Sequence, residues 1–514
     1  VSLLSRIDQH CGRSSPLHLW NCDSPTGRGC RRRRRATVEV PDPGWPTSLR
    51  PLVSSASRTM EIHMGDEAKI RITAWLTDPR LLSEAPDADV AESAAAEFNT
   101  AHPGYQVEIS THDFRTLPEE VARAAERGEA PDIAEYHFDS TRAAMDTLGP
   151  DGKPLYTPFD QAVAGRTEIL GEPVVLDDMV PVVRDYFRHA GELMAMPRSA
   201  SAPVLFANMD ILAHAGVAEP PRTWREVTAA CQAVAKLPGG PNHGITWPNF
   251  PWFFQQAVAQ QGGLIADHDN GRSGRAEKVE LASSEMLAFV RWWQRLHQDG
   301  HFLYTGKIGD FEGCFNAFEN GEVALVLSSS VDASHLPDRG ERNGFAVRVG
   351  PTPYNDEVQF AGCMMGGNTC WLAGGLSPAK QDGALAFLQY LSSPRHAAEL
   401  AKRHFRVPVT RSAIAVLEGE GWYREHPDHR VAATLLDTTV GSPAVLGPLL
   451  GGDADIMAEV TGAMHEVLTG EAEPAARFEL ATVRAQQILN AYNSYCAGPP
   501  RRTPRPRDLA VPGI

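Results

Sequence analysis

Two hydrophobic periods alternate along the chain. Ile70-Arg71-Ile72-Thr73-Ala74-Trp75-Leu76 switches between apolar and polar positions, as a strand with one buried face does. From about Asp89 to Ala101, Val90, Ala94 and Phe98 recur on one helical face. Tyr105 to Ser110 alternates again, and Glu119 to Gly128 returns to helical spacing until Gly128-Glu129-Ala130-Pro131 stops it. A third strand is expected over Asp132 to Phe138 and a helix over Thr141 to Leu148. This succession predicts βαβ units around a mostly parallel sheet.

The rhythm changes near residue 200. Met194-Ala195-Met196-Pro197 and Pro203 to Asn208 are short apolar runs. Helices are expected at about 209–216, 223–237, 251–261, 284–298 and 311–319, with strands at 245–247 and 323–327. Residues 344–374 read as strand-rich, and 377–497 as a run of helices. A return to strands after a helical excursion fits two α/β lobes crossed by the chain more than once.

At 514 residues the chain is too long for one ordinary domain. Its 42% hydrophobic and 22% charged content is that of a globular protein. No run approaches the roughly 20 apolar residues that cross a bilayer. With 48 basic against 64 acidic residues, the net charge of -16 argues against a nucleic-acid surface. The ends differ in kind from the body. Residues 1–59 hold ten arginines against four acids, and residues 497–514 hold four against one. The segment after Arg31 to Arg35 lacks the apolar core of an export signal. Met60 and Met64 stand just before the first strand, so residues 1–65 read as a disordered or mis-started leader and 496–514 as a disordered tail. The eight cysteines form no CxxC pair and no zinc spacing, which leaves them as buried free thiols. There is no P-loop, HExxH, GxSxG or dinucleotide fingerprint. His137, beside Asp139, has no nucleophile or metal partner near it in sequence. No cofactor and no metal are expected.

Four blocks carry a family resemblance. The first is Pro203-Val-Leu-Phe-Ala-Asn208 through Pro220-Pro221-Arg222-Thr223-Trp224. In it Asn208 and Asp210 can start one helix, Gly216 ends it, and Thr223 caps the next. The others are Phe315 to Val326 leading into Ser328-Ser329-Ser330, Gly366 to Leu372 followed by a helix from Pro378, and Ser393-Pro394-Arg395 through Thr410. In this order the chain resembles the family 1 extracellular solute-binding proteins of ABC importers. Gly300 to Gly306 and Gly421 to Pro427 are most similar to the branch that binds glycerol 3-phosphate. The resemblance implies a type II periplasmic-binding-protein-like fold, α/β and two-lobed, with lobes joined by hinge crossings. Residues 66–205 and 329–376 would form lobe 1, and 206–328 and 377–495 lobe 2.

The same resemblance implies a ligand-binding cleft. Trp247 and Trp252 fall at or near cleft tryptophans of that branch, in a loop with two prolines. Ser201 falls in a polar cleft loop, Ser329 and Ser330 at a ligand hydroxyl, and Gly366 and Gly367 where backbone meets ligand. Phe114 stands for the branch's cleft tyrosine, Phe138 with Asp139 beside it for its glutamate, and Arg406 for a second tyrosine. The arginine that would hold a phosphate falls at Leu449, leaving Arg406 or Arg198 to supply a cation. The reading is a non-catalytic binding subunit that takes a sugar, polyol phosphate or glycerophosphodiester. It would act as a monomer, outside the cytoplasm and membrane-associated, with ABC permease membrane subunits as partners. The alternative is a cytoplasmic enzyme on the same fold, because no signal peptide or lipid-anchored cysteine is visible.

Overall fold

The computed structural model describes residues 69–78 and 90–498. The expected leader, and residues 499–514 of the expected tail, lie outside the described residues. The first two residues of that tail, Cys496 and Ala497, close the helix Pro474–Ala497.

Two sheets organise the chain. The first orders its strands as Tyr105–His112, Ile70–Thr77, Ile133–His137, Gly366–Leu372 and Met196–Ser201. Its first three strands run parallel, with Ile72 opposite Val107 and Ala74 opposite Ile133, so the alternation read from Ile70 buries Ile72, Ala74 and Leu76 together. The second sheet is Ile245–Thr246, Leu325–Ser329, Pro203–Asn208 and Val347–Pro351. Every residue of Pro203–Asn208 is buried, as its unbroken apolar run requires. Of the stretch 344–374, only Val347–Pro351 and Gly366–Leu372 are strands. No described helix is long and apolar enough to cross a membrane. The five described cysteines are free, and four of them are buried.

The caps read from sequence are formed. Asn208 accepts a hydrogen bond from the Ile211 N–H at 3.0 Å, and Thr223 Oγ1 accepts one from the Glu226 N–H at 3.1 Å. Thr223→Ala is expected to cost about 1 kcal/mol of unfolding free energy in a denaturant titration. An unchanged midpoint would mean that the helix Trp224–Val234 starts without its threonine.

The expected lobe boundaries depart from the sheets, beginning with Pro203–Leu205 and Ser329, which were assigned to lobe 1 and pair with each other's strands in the second sheet. Val347–Pro351, assigned to lobe 1, pairs with Pro203–Asn208 in the second sheet, Val349 lying opposite Phe206. The helix Pro378–Leu391, assigned to lobe 2, packs on the first sheet. There a Cβ on Gly383 would come within 2.4 Å of the Tyr105 ring, and Phe387 meets Phe98 edge-on at 5.4 Å. These misplacements come from contacts between residues more than a hundred positions apart, which local periodicity does not carry. The chain passes from the first sheet to the second at Ala202 and back between Pro351 and Gly366. Asp146 accepts hydrogen bonds from Nε and Nη2 of Arg142, from Nη1 and Nη2 of Arg275, and from the Tyr492 hydroxyl at 3.1 Å. This joins the first sheet's helices to the C-terminal helix.

Candidate functional site

A cleft of about 550 Å³ opens where strands of both sheets end. Phe114 follows the strand Tyr105–His112, and His137 ends Ile133–His137 with Phe138 next to it. Ser201 and Ser329 are the last residues of their strands, and Gly366 is the first of an antiparallel one, so it reaches the same edge. Carboxyl ends of strands in open α/β sheets are where ligands bind.

The walls are aromatic. Phe138 lies 6.1 Å from Trp252, and His137 lies 4.5 Å from Phe138 and 5.5 Å from Phe114. Opposite, Phe250 meets Phe311 at 5.1 Å, and Phe315 meets His335 at 5.2 Å. Trp252 sits in the first turn of the helix Pro251–Gln260, whose Pro251 suits a helix start. Gly366 makes room for it, since a Cβ there would stand 2.8 Å from the Trp252 ring and 2.9 Å from Ser201 Oγ. Trp252 Nε1 is buried with no hydrogen-bond partner.

Arg406 lines the cleft without a hydrogen-bond or ion-pair partner among the described residues. The helix Pro394–His404 ends on Phe405 in the left-handed region (φ 53°), a conformation that costs a non-glycine residue about 1–2 kcal/mol. Val407 and Ala200 then exchange backbone hydrogen bonds at 2.8 and 3.1 Å, which fixes Arg406 beside the strand ending in Ser201. Its guanidinium makes no hydrogen bond or ion pair with any described residue. Burial pushes its pKa down to about 10 against the attraction of Glu135, so it keeps its charge at neutral pH. Arg198 instead donates to Glu135 at 2.8 Å and does not line the cleft. Arg339 lines it but is paired with Glu312 at 3.2 Å, and the exposed Arg115 is paired with Asp113 at 2.6 Å.

Of the expected site residues, the cleft brings together Phe114, Phe138, Ser201, Trp252, Ser329, Gly366 and Arg406. Four stand elsewhere. Trp247 is 1% exposed inside an aromatic core, 4.4 Å from Phe302 and 4.8 Å from Trp293. Ser330 pins the sheet crossing, its N–H donating to the Ala202 carbonyl at 2.8 Å and its Oγ accepting from the Ala202 N–H at 3.3 Å. Gly367 (φ 136°) serves close strand packing, since a Cβ would lie 2.1 Å from the Ser199 carbonyl oxygen. Asp139 is exposed and does not line the cleft, its Oδ2 lying 2.9 Å from His137 Nδ1.

The position expected to bear a phosphate-holding arginine, Leu449, is 2% exposed. Arg272 reaches this segment, but it donates to the Gly447, Leu446 and Tyr186 carbonyls and lies over the Tyr186 ring. The sequence reading missed the opposite wall and its charges. Phe311 and Phe315 share a helix face at four-residue spacing, a signal that reads equally as core. Asp332, His335 and Arg339 had no signal beyond their place after Ser328-Ser329-Ser330. As for metals, Asp267, His268 and Glu277 place ligand atoms within 4.8 Å of one another on the surface, where Asp267 Oδ1 already accepts two backbone N–H groups.

Residues 93–430 match the family model described as bacterial extracellular solute-binding protein. The sn-glycerol-3-phosphate-binding periplasmic protein UgpB of Salmonella typhimurium is 26% identical over 412 residues, covering 78% of this chain and 89% of that protein. The homologous protein of Pectobacterium atrosepticum is 25% identical over 411 residues, covering 78% and 88%. Among solved structures, UgpB of Mycobacterium tuberculosis in complex with glycerophosphocholine superposes with a TM-score of 0.64 at 19% identity, covering 82% of this chain and 98% of that one. The sugar-binding protein MalE of Xanthomonas citri gives 0.65 at 19% identity, covering 84% and 100%. The fold is therefore the two-lobed α/β fold of solute-binding proteins.

Proposed function

The chain belongs to the bacterial extracellular solute-binding proteins, and we propose that its cleft captures a small polar ligand bearing a single negative charge, a glycerophosphodiester above all. The lobes then close on it for delivery to ABC permease subunits. We place the protein outside the cytoplasmic membrane, as its relatives named periplasmic are, and read it as a monomer. Membership of a family of binding proteins favours this reading over the enzyme alternative.

The observation that carries the ligand class is Arg406, an unpartnered guanidinium on a cleft otherwise walled by Trp252, Phe138 and other rings. One fixed cation suits one anionic group. The aromatic faces suit the carbon-bound hydrogens of a polyol or sugar, and also a cationic headgroup. A volume of about 550 Å³ leaves room for more than glycerol phosphate alone. A phosphomonoester approaches two charges at neutral pH and would need the arginine that Leu449 replaces. The relative named for sn-glycerol 3-phosphate and the solved complex with glycerophosphocholine lie to either side of this choice.

Calorimetry with glycerol 3-phosphate, glycerophosphocholine and maltose decides the matter. The diester is expected to bind at least about tenfold tighter than the monoester, a difference of about 1.4 kcal/mol. Tightest binding of glycerol 3-phosphate would sink the proposed specificity.

A further inference from the structure

The turn Ser330–Ser334 carries a carboxyl group to the cleft that the expected site does not contain. Asp332 is 9% exposed, and its local role accounts for only one of its oxygens. Oδ2 accepts hydrogen bonds from Ser328 Oγ at 2.5 Å and from the Ser329 N–H at 3.1 Å, closing a capping box with Ser329. No described residue donates to Oδ1.

Charged and titratable groups face this carboxyl from several elements. Arg339 comes from the helix Leu336–Arg342, with His335 at its start, and Arg406 comes from the segment after His404. Asp428 and His429, at the start of the helix His429–Asp437, share a small cavity with Ser330, Ala333 and Arg406. Glu312 and His137 stand on the cleft walls, and Glu135 with Arg198 lies behind Arg406. Burial raises the carboxyl to about 6, against its two hydrogen bonds and the attraction of Arg406 and Arg339.

We propose that Asp332 is a specificity-determining residue: its charge, set on the same cleft wall as Arg406, offsets that of Arg406, so that the pair admits one anionic group and turns away a second. This rests on Arg406 being the anion's partner, as argued above. Capping alone needs only Oδ2, which an asparagine carbonyl can replace. The charge is therefore separable from the cap.

The sign of the pH effect follows. As pH falls through about 6, Asp332 takes a proton and Arg406 is no longer offset, so a single anion binds more tightly. Bound anion in turn favours the protonated carboxyl, so binding takes up protons. A neutral sugar meets no repulsion to relieve and gains nothing.

The test uses ligands whose own charge is constant between pH 5 and 7.5, glycerophosphocholine and maltose, with calorimetry on the full chain. The wild-type protein is expected to bind the diester about tenfold more tightly at pH 5 than at pH 7.5, one pKa unit's worth of coupling. Asp332→Asn should bind it with the stronger affinity at both values, and maltose should show no gain at low pH. A flat wild-type profile overturns the inference without any variant. So does a profile that survives Asp332→Asn, which would assign the effect to another group. Should Asp332→Asn fail to fold, proton uptake by the wild type, measured in buffers of different ionisation heat, decides: none on diester binding overturns it. Arg406→Ala separates the two readings. If it weakens diester binding while the wild-type profile is flat, only the role of Asp332 falls. If it leaves binding unchanged, the ligand assignment falls with it.

Discussion

Trp247→Ala is expected to lower the free energy of unfolding by about 3–5 kcal/mol, the cost of emptying a tryptophan site in a packed core. Ligand affinity should remain unchanged. The side chain is 1% exposed and fills the space between Trp292, Trp293, Phe289 and Phe302, with ring centroids 4.4–6.4 Å away. None of those rings lines the cleft. Domains are stable by only about 5–15 kcal/mol, so this loss brings the protein near its unfolding threshold. A denaturant titration checks the first half of the expectation and calorimetry on the folded variant the second. Lost affinity with intact stability would return Trp247 to the cleft wall.

That result bears on how much of the site is legible in sequence. Trp247 and Trp252 stand in one proline-flanked loop and look alike locally. Only packing against Trp292 and Phe302, more than 40 residues on, sends one inward. The adjacent pairs divide between cleft and surroundings. Ser329 lines the cleft and Ser330 does not; Gly366 does and Gly367 does not; Phe138 does and Asp139 does not. In the strand Gly366–Leu372 successive residues face opposite ways, whereas Ser330 and Asp139 stand in the short turns of 3-10 helix that follow their strands. The βαβ rhythm, the caps at Asn208 and Thr223 and the strand ends that frame the cleft depend on near neighbours in sequence, and these were readable. The second wall, with Phe250, Phe311, His335 and Arg339, and the sheet assignment of Val347–Pro351 depend on tertiary contacts, and these were not.

Arg406→Ala is expected to weaken binding of a glycerophosphodiester by about 2–4 kcal/mol, within the range for truncating one side of a desolvated charge pair. A neutral sugar should lose far less. The argument turns on what Arg406 lacks. Other arginines at or near the cleft have acidic partners: Arg115 has Asp113, Arg339 has Glu312 and Arg198 has Glu135. Arg406 makes no hydrogen bond or ion pair with a described residue, Glu135 and Asp332 attracting it only from farther off, and burial has already pushed its guanidinium down to about 10. An unpaired, partly buried cation destabilises the empty protein, so its removal should leave stability unchanged or slightly higher. That separates a ligand-binding role from a structural one. Arg406→Lys should fall between wild type and alanine, since it keeps the charge but loses the two-pronged donor that matches a phosphate. Calorimetry with glycerophosphocholine and maltose, beside thermal unfolding without ligand, reads all three quantities. If the alanine variant unfolds more easily by over about 1 kcal/mol and binds both ligands as before, Arg406 supports the turn after Phe405 rather than the ligand, and the anion must be held from another wall.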